Sequence, residues 1–293
     1  MRLCWLFGIT RQAFYKHRHT SVLEQKENTI VLQLVAEVRA LHPAMGVRKL
    51  YSMIAQQIKE QGIQIGRDTL FNLLREQGWL LRRRRRKTIT TWSKHPFRKY
   101  RNLIKDFIPT APHQLWVSDI TYLKTQQGFV YLSLITDAYS RKVVGYDLSD
   151  NLESVNTLQA LQMAIQSAAE PLTALIHHSD RGIQYCSHDY VRLLQQHYIQ
   201  ISMTENGDPL ENAIAERVNG ILKHEYLLQQ PIQNKQHAMQ LLKQAVTLYN
   251  NHRPHLSCNM LTPEAIHEQH QKPKRLWKNY YKKRTTIVNP LQD

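Results

Sequence analysis

Hydrophobic positions along the chain follow a helical period first, then a strand period, then a mixture of the two. Residues 3–18 predict a helix, a turn at Gly8-Ile9, and a second helix capped by Thr10 and running through Arg18. Ile30, Leu34, Val38 and Leu41 predict a helix over 28–41. The run His42-Pro43-Ala44-Met45-Gly46 breaks it. Val47, Leu50, Tyr51, Ile54 and Ile58 then mark one face of an amphipathic helix that stops at Gln61-Gly62. A further helix runs from Arg67 to Gln77 with Leu70, Phe71 and Leu74.

After residue 113 the pattern changes. Leu115–Leu123, Phe129–Thr136 and Val143–Leu148 are rich in Val, Ile, Leu, Thr and Tyr and predict three antiparallel strands. Helices follow over 154–169, 189–197 and 210–226. Strands at 172–178 and 199–203 separate them, and a last helix covers 235–249. The order βββαβαβα matches an α/β, ribonuclease-H-like core, a mixed five-stranded sheet flanked by helices. In that architecture the first and fourth strands are neighbours.

Charge adds a partner to this picture. The 293 residues carry 39 Lys and Arg against 23 Asp and Glu, a net charge of +16. A balance that basic points to a polyanion, most often nucleic acid. Residues 82–105 hold eleven basic residues and no acidic one, beginning with Arg82, Arg83, Arg84, Arg85, Arg86 and Lys87 and interleaved with Trp92, Phe97 and Tyr100. Such a run stays extended until a polyanion neutralises it. In the helical region Arg11, Arg48, Lys49 and Arg67 are candidates for contact with the DNA backbone, with a helix-turn-helix cue around Gly8. A second basic tail, seven residues strong, lies over 272–284. Three scattered Cys imply no disulfide framework and fit a reducing cytoplasm. No apolar run approaches a membrane span, and no signal peptide is legible.

Three carboxylates carry the candidate chemistry. Asp119 lies within the first strand, Asp180 just past the fourth, and Glu216 in a helix, with 35 residues between it and Asp180. Hard oxygen donors of this kind suit a pair of Mg²⁺ ions, with Mn²⁺ as a substitute, for in-line phosphoryl transfer. An unpaired carboxylate in an apolar strand is costly, so Asp119 demands a partner. Lys223, seven residues after Glu216, falls on the same helical face and is a candidate phosphate contact. Zinc is not expected, because Cys186 and His188 are the only nearby candidates.

The sequence resembles the DDE transposases of bacterial insertion sequences, the retroviral-integrase-like type. Within them it resembles the second-frame product of the group encoded in two overlapping frames. The matching residues are Trp116 to Tyr122, Asp137 with Ser140-Arg141, Val144-Gly145, His178 to Gly182 and Gln184-Tyr185. Asn212-Ala213, Glu216, Lys223, Tyr249-Asn250, Arg253-Pro254-His255 and Thr262-Pro263-Glu264 complete the set. The sequence departs from the usual pattern at Ile183, Glu205-Asn206 and Glu211. The resemblance implies an Asp119, Asp180, Glu216 triad, Mg²⁺, cleavage at element ends and strand transfer into target DNA. It implies end recognition in the N-terminal helices, a homo-oligomer on paired ends, and a first-frame product acting as fusion or partner. The expected organisation is a helical DNA-binding region over 1–80, a basic linker over 81–110, a catalytic core over 111–230, and a C-terminal helix and basic tail over 231–293. A non-catalytic DNA-binding regulator of the element is the alternative, and it has no need of three acids.

Overall fold

The computed structural model describes residues 8, 10–81, 96–151, 154–168, 172, 174–205 and 212–269. The N-terminal part is helical. Helix α1 spans Arg11–Leu41, α2 Val47–Glu60 and α3 Arg67–Glu76. The expected stop after Arg18 is absent: α1 is one helix of 31 residues. Residues 19–27 contain no Gly or Pro and include Leu23, Glu24, Gln25 and Lys26, all strong helix formers. The helix expected before Gly8 lies outside the described residues. The buried face of α1 is also rotated from the expected one. Val31 and Val35 are fully buried, whereas Ile30 and Leu41 are exposed. These valines meet Leu50, Ile54, Leu70 and Leu74 in a small core of their own.

The second part is a five-stranded sheet in the order β3-β2-β1-β4-β5. Its strands are β1 Leu115–Thr125, β2 Gly128–Asp137, β3 Val143–Ser149, β4 Ile176–Ser179 and β5 Gln200–Met203. The first three form the expected antiparallel meander, and β4 and β5 add in parallel to β1. Strand β4 is shorter than the sequence implied. Leu172 and Leu175 close a turn and enter the core rather than the ladder.

Helices cover both faces. On one face α4 (Ser154–Ser167) and α5 (His188–Gln196) pack on Trp116, Ile135 and Val144 through Leu161, Ala164, Tyr190 and Leu194. Gly145 permits the approach of α4, since a Cβ there would lie 2.1 Å from the Ala160 carbonyl oxygen. On the other face lie α6 (Ala213–Ile221) and α7 (Lys235–Asn251). Val218, Ile221, Leu242, Val246 and Tyr249 meet Leu123, Leu132, Leu134 and Val143 there. The helix expected to run to Tyr226 changes character after Ile221. Residues Leu222–Tyr226 form a π turn and Leu227–Gln229 a 3-10 turn. Helix α8, Pro263–Glu268, is capped by the Thr262 hydroxyl, which accepts from the Ala265 N–H.

Part of the expected linker is built into the core. Phe97 and Tyr100 pack against its apolar cluster, and Phe97 meets the His188 ring edge-on at 5.6 Å. The Arg101 carbonyl accepts from the Met203 N–H, and the Leu103 N–H donates to Ser202 Oγ at 2.9 Å. Glu205 takes hydrogen bonds from the Asn102 N–H and the Lys105 ammonium. Residues 96–105 therefore run beside β5 instead of standing free. Burying two aromatic rings is worth more than leaving them for a polyanion. The arginine run Arg82–Arg86 and Lys87 lie outside the described residues, as does the basic tail.

Candidate active site

Strand register brings two of the three acids together. Val117 pairs with His178 across the parallel β1–β4 ladder. Two residues further along each strand stand Asp119 and Asp180, so both fall at equivalent positions on one face. That face looks toward α6, as Val117 and Ile176 do when they contact Ala215. Glu216 is on α6, exposed, in its first turn.

The helix is seated on β1 by a stripe of polar side chains that flanks Glu216. Asn212 Nδ2 donates to the Ser118 carbonyl at 2.8 Å. Asn219 Nδ2 donates to Asp119 Oδ2 at 2.8 Å. Lys223 Nζ donates to the Tyr122 carbonyl at 2.5 Å and lies 4.3 Å from the centre of the Tyr122 ring. Residues 212, 216, 219 and 223 recur at helical spacing, so one face of the segment runs along β1. The π turn adds a residue to the last turn, and Lys223 reaches β1 through it.

The electrostatics are those of crowded acids. Removal of water raises the Asp119 carboxyl to about 7, and the charges of Asp180 and Glu216 add to the rise. The Asn219 amide opposes it. Burial also raises Asp180, against the Gly182 N–H that donates to its Oδ1 at 3.0 Å. The nearest donors to both acids are neutral. Among the described residues no three His, Cys, Asp or Glu side chains converge closely enough to hold one metal ion in this arrangement. The donor chemistry nevertheless fits a hard cation: the Asp119 and Asp180 carboxylates stand at equivalent positions of neighbouring strands, and the charges of Asp180 and Glu216 both raise Asp119. Asn219 Oδ1 and the Tyr185 hydroxyl are buried beside them with no partner.

Beneath β1 lies a neutral support. His177 Nε2 sits 2.7 Å from Ser118 Oγ and 2.9 Å from the Tyr190 hydroxyl. Burial pulls the His177 pKa down to about 3, so the ring is uncharged at neutral pH. Cys186 is held as a thiol, its pKa pushed up to about 11 by burial.

The remaining candidates separate. Arg48 and Arg67 are exposed on α2 and α3, and Arg67 pairs with Asp68 at 2.9 Å. Lys49 does not face outward for DNA. It turns into the junction between the helical region and the core, 3.9 Å from Glu225 Oε1. Burial there lowers its pKa to about 8. Of Arg11 the structure describes only the backbone, within α1. From sequence Asn212 was matched without a role, which is that of a tether, and Asn219, the amide on Asp119, was missed. Their signal was Asn at both ends of a helical stripe centred on Glu216.

Other matched residues hold the scaffold. Asp137 is fully buried and accepts from the N–H groups of His113, Tyr139 and Ser140 and from the Ser140 hydroxyl. The Asn250 side chain exchanges two 3.0 Å hydrogen bonds with Val143. Arg253, fully buried, forks onto Glu225 at 2.8 and 2.9 Å.

Two family descriptions, both of an integrase core domain, match residues 109–209 and 197–263. The chain is 34% identical over 273 residues to an uncharacterized 31 kDa protein of insertion element IS600 from Shigella sonnei, spanning 92% of this chain and 98% of that one. It is 33% identical over 258 residues to the transposase of insertion sequence element IS629 from Shigella sonnei, spanning 86% and 85%. It is 31% identical over 215 residues to transposase InsF of insertion sequence IS3A from Escherichia coli, spanning 73% and 74%. Among solved structures, a chain of the simian T-cell lymphotropic virus intasome in complex with PP2A regulatory subunit B56 gamma aligns at 18% identity. That alignment covers 83% of this chain and 81% of the other, with a TM-score of 0.48. The HTLV-2 integrase catalytic core domain in complex with magnesium aligns at 21% identity, over 57% and 99%, with a TM-score of 0.42. Sequence identity above 30% over 74% to 98% of these relatives means that the chain belongs to the DDE transposases of bacterial insertion sequences, of the IS3 type, built on an integrase core.

Proposed function

We propose that the chain cuts DNA at the ends of its element and joins the freed 3′-hydroxyl to target DNA, with Asp119, Asp180 and Glu216 as the metal-binding acids. The observation that carries the assignment is the register of β1 and β4, which sets Asp119 beside Asp180 under the helix bearing Glu216. When bound, two Mg²⁺ ions, or Mn²⁺ in their place, supply Lewis acidity for the attacking and leaving oxygens of an in-line displacement. The protein's own groups do the rest. Asn219 fixes one Asp119 oxygen, and the Gly182 N–H fixes one Asp180 oxygen. Glu216 is exposed and approaches the two aspartates as substrate is seated. Lys223, partly exposed beside β1, is positioned to meet a phosphate on that flank.

The wider organisation follows the same reading. The helical region over 1–80 takes the element ends, with Arg11, Arg48 and Arg67 toward the backbone. The segment 81–110 contributes Arg82 to Lys87 for sequence-independent grip. The catalytic unit spans 111–230 and is completed by α7, which shares its core. The chain acts on double-stranded DNA as a homo-oligomer, with the first-frame product as fusion or partner, in the cytoplasm. Among the described residues no helix is long and apolar enough to cross a membrane.

The test is strand transfer by purified protein on labelled element-end duplex with Mg²⁺. Wild type yields joined product and Asp180→Asn yields none. Equal product from the two would sink the assignment of the acids. Binding without cleavage by wild type under Mg²⁺ or Mn²⁺ would favour a DNA-binding regulator.

A further inference from the structure

The first hairpin of the sheet carries aromatic rings that the core does not use. Side chains along β1 alternate between the two faces of the sheet. Leu123 enters the core beneath α6 and α7, so Tyr122 and Lys124 point to the opposite face. Strand β2 repeats the pattern. Val130 and Leu132 are buried in that same core, and Phe129 and Tyr131 turn away from it. Tyr131 pairs with Tyr122 across the ladder, and Phe129 pairs with Lys124. These four side chains therefore share one sheet face at the tip of the β1–β2 hairpin.

Helices α4 and α5 cover the other end of this face, over Trp116, Ile135 and Val144. At the tip Tyr122 is 42% exposed and Phe129 52%, and Lys124 is exposed beside them. The Tyr122 and Phe129 rings stand perpendicular, at 87° with centroids 5.5 Å apart. An edge-to-face pair holds its shape and leaves ring surface open. A second lysine joins from the other face of the sheet. Lys223 comes around the edge of β1, and its ammonium lies 4.3 Å from the centre of the Tyr122 ring. The β1–β4 ladder ends at Val117 and His178, so a strand of DNA can cross that edge from the acids to the rings. Tyr122 stands three residues beyond Asp119, about 10 Å along the strand.

We propose that this ring face holds unpaired bases of single-stranded DNA, with Phe129 as the stacking ring, Tyr122 as its buttress, and Lys124 and Lys223 beside the phosphates. Every base has a π face, so an open ring flanked by ammonium groups takes unpaired bases without reading their sequence. A base inside a duplex is already stacked on its neighbours, and the face therefore selects single strands. A second copy of this chain is the rival occupant. A two-fold interface there would bring the lysines of both copies together, and like charges oppose it. The inference rests on the reading of the chain as a transposase acting on DNA. It gives a place to the strand that is not joined, which has to be drawn clear of the acids while its complement reacts.

The experiment measures affinity of the full chain for labelled element-end duplex carrying a single-stranded tail, either of thymidines or of abasic nucleotides. The abasic tail keeps the phosphates and lacks the bases. Wild type should bind the thymidine tail about tenfold more tightly than the abasic one. Phe129→Ala and Phe129→Leu should bind the two tails alike, and Phe129→Trp should keep the difference. Leucine fills the position without a π face, so equal binding by that variant reports stacking and not packing. The comparison of tails in wild type needs no substitution and keeps the test decisive if a variant folds poorly. Equal binding of the two tails by wild type, or a difference that survives in Phe129→Leu, overturns the stacking face. A wild type that dimerises, with Phe129→Ala monomeric and the difference between tails unchanged, overturns it in favour of a second copy. A difference between tails without strand transfer supports the ring face and removes the assignment of the acids. Strand transfer without that difference does the reverse.

Discussion

One helical segment, residues 213–226, serves two carboxylate centres that differ in a single respect. Toward its start Glu216 overhangs Asp119 and Asp180, whose donors among the described residues are the Asn219 amide and the backbone N–H groups of Ile120 and Gly182. Toward its end Glu225 meets Arg253 at 2.8 and 2.9 Å and Lys49 at 3.9 Å. Loss of water pushes both kinds of acid upward. At Asp119 nothing overcomes it and the pKa rises to about 7. At Glu225 the hydrogen bonds and charge of Arg253, with Lys49, overcome it and the pKa falls below its ordinary value. A buried carboxylate with a built-in cation is structural. One whose cation must come from outside marks a place where something binds.

The largest effect expected from this contrast is on chemistry. Asp119→Asn should lower strand transfer at least about a thousandfold, equivalent to roughly 4 kcal/mol of barrier. It should leave the urea midpoint unchanged or raised, since it removes a charge from a cluster of like charges while Asn219 keeps an oxygen to donate to. Activity close to wild type, or a collapse in stability, would break the comparison at its acidic end.

Glu225→Gln should behave in the opposite way, costing roughly 3 to 4 kcal/mol of stability because it strands a fully buried Arg253. Replacing both partners, Glu225→Leu with Arg253→Met, should recover much of that loss in urea denaturation. If Glu225→Gln unfolds like wild type, the paired centre is not holding the helical region to the core. The same junction carries His42 Nδ1 against the Tyr226 hydroxyl at 2.8 Å, a second tie between the two parts.

Acid should loosen the molecule in a defined window. Burial holds His42 near 4, His177 near 3 and His255 near 2. Each is neutral when folded and takes up a proton when unfolded below its ordinary value of 6.5. Their contribution is therefore present above pH 6.5 and lost as pH falls toward the folded values. By pH 5.5 each buried histidine should have cost up to about 1.4 kcal/mol. Urea midpoints at pH 7.5 and 5.5 check this, and a midpoint that rises on acidification would contradict the burial of these rings.

What the sequence made legible was local. Alternating β-branched and aromatic residues marked β1 to β3, and Asp119 stood out as an acid inside such a strand. The run Asn212 to Glu216 announced a helix with a carboxylate. What stayed hidden depends on contacts between residues far apart. Lys49 looked like a surface cation because Glu225 is distant in sequence. Phe97 and Tyr100 looked free because the core that buries them is built from residues beyond 115. The continuity of α1 was hidden by a short cluster of polar residues that lowers apolar periodicity without breaking a helix. The π turn after Ile221 has no marker in composition, and the helical spacing of Asn219 from Glu216 did not by itself name Asp119 as its partner.

The smallest effect sharpens the comparison most directly, because it adds the missing partner. Mg²⁺ should stabilise the folded chain through the acidic centre and not through the paired one. At three times its dissociation constant the gain is about 0.8 kcal/mol. For a unit of this size that is a rise of about 2 °C in melting temperature. Asp119→Asn should abolish the rise. The double replacement of Glu225 and Arg253 should leave it intact on a lower baseline, since that pair already holds its own cation. A Mg²⁺ response that survives Asp119→Asn would place the ion elsewhere and remove the distinction between the two centres.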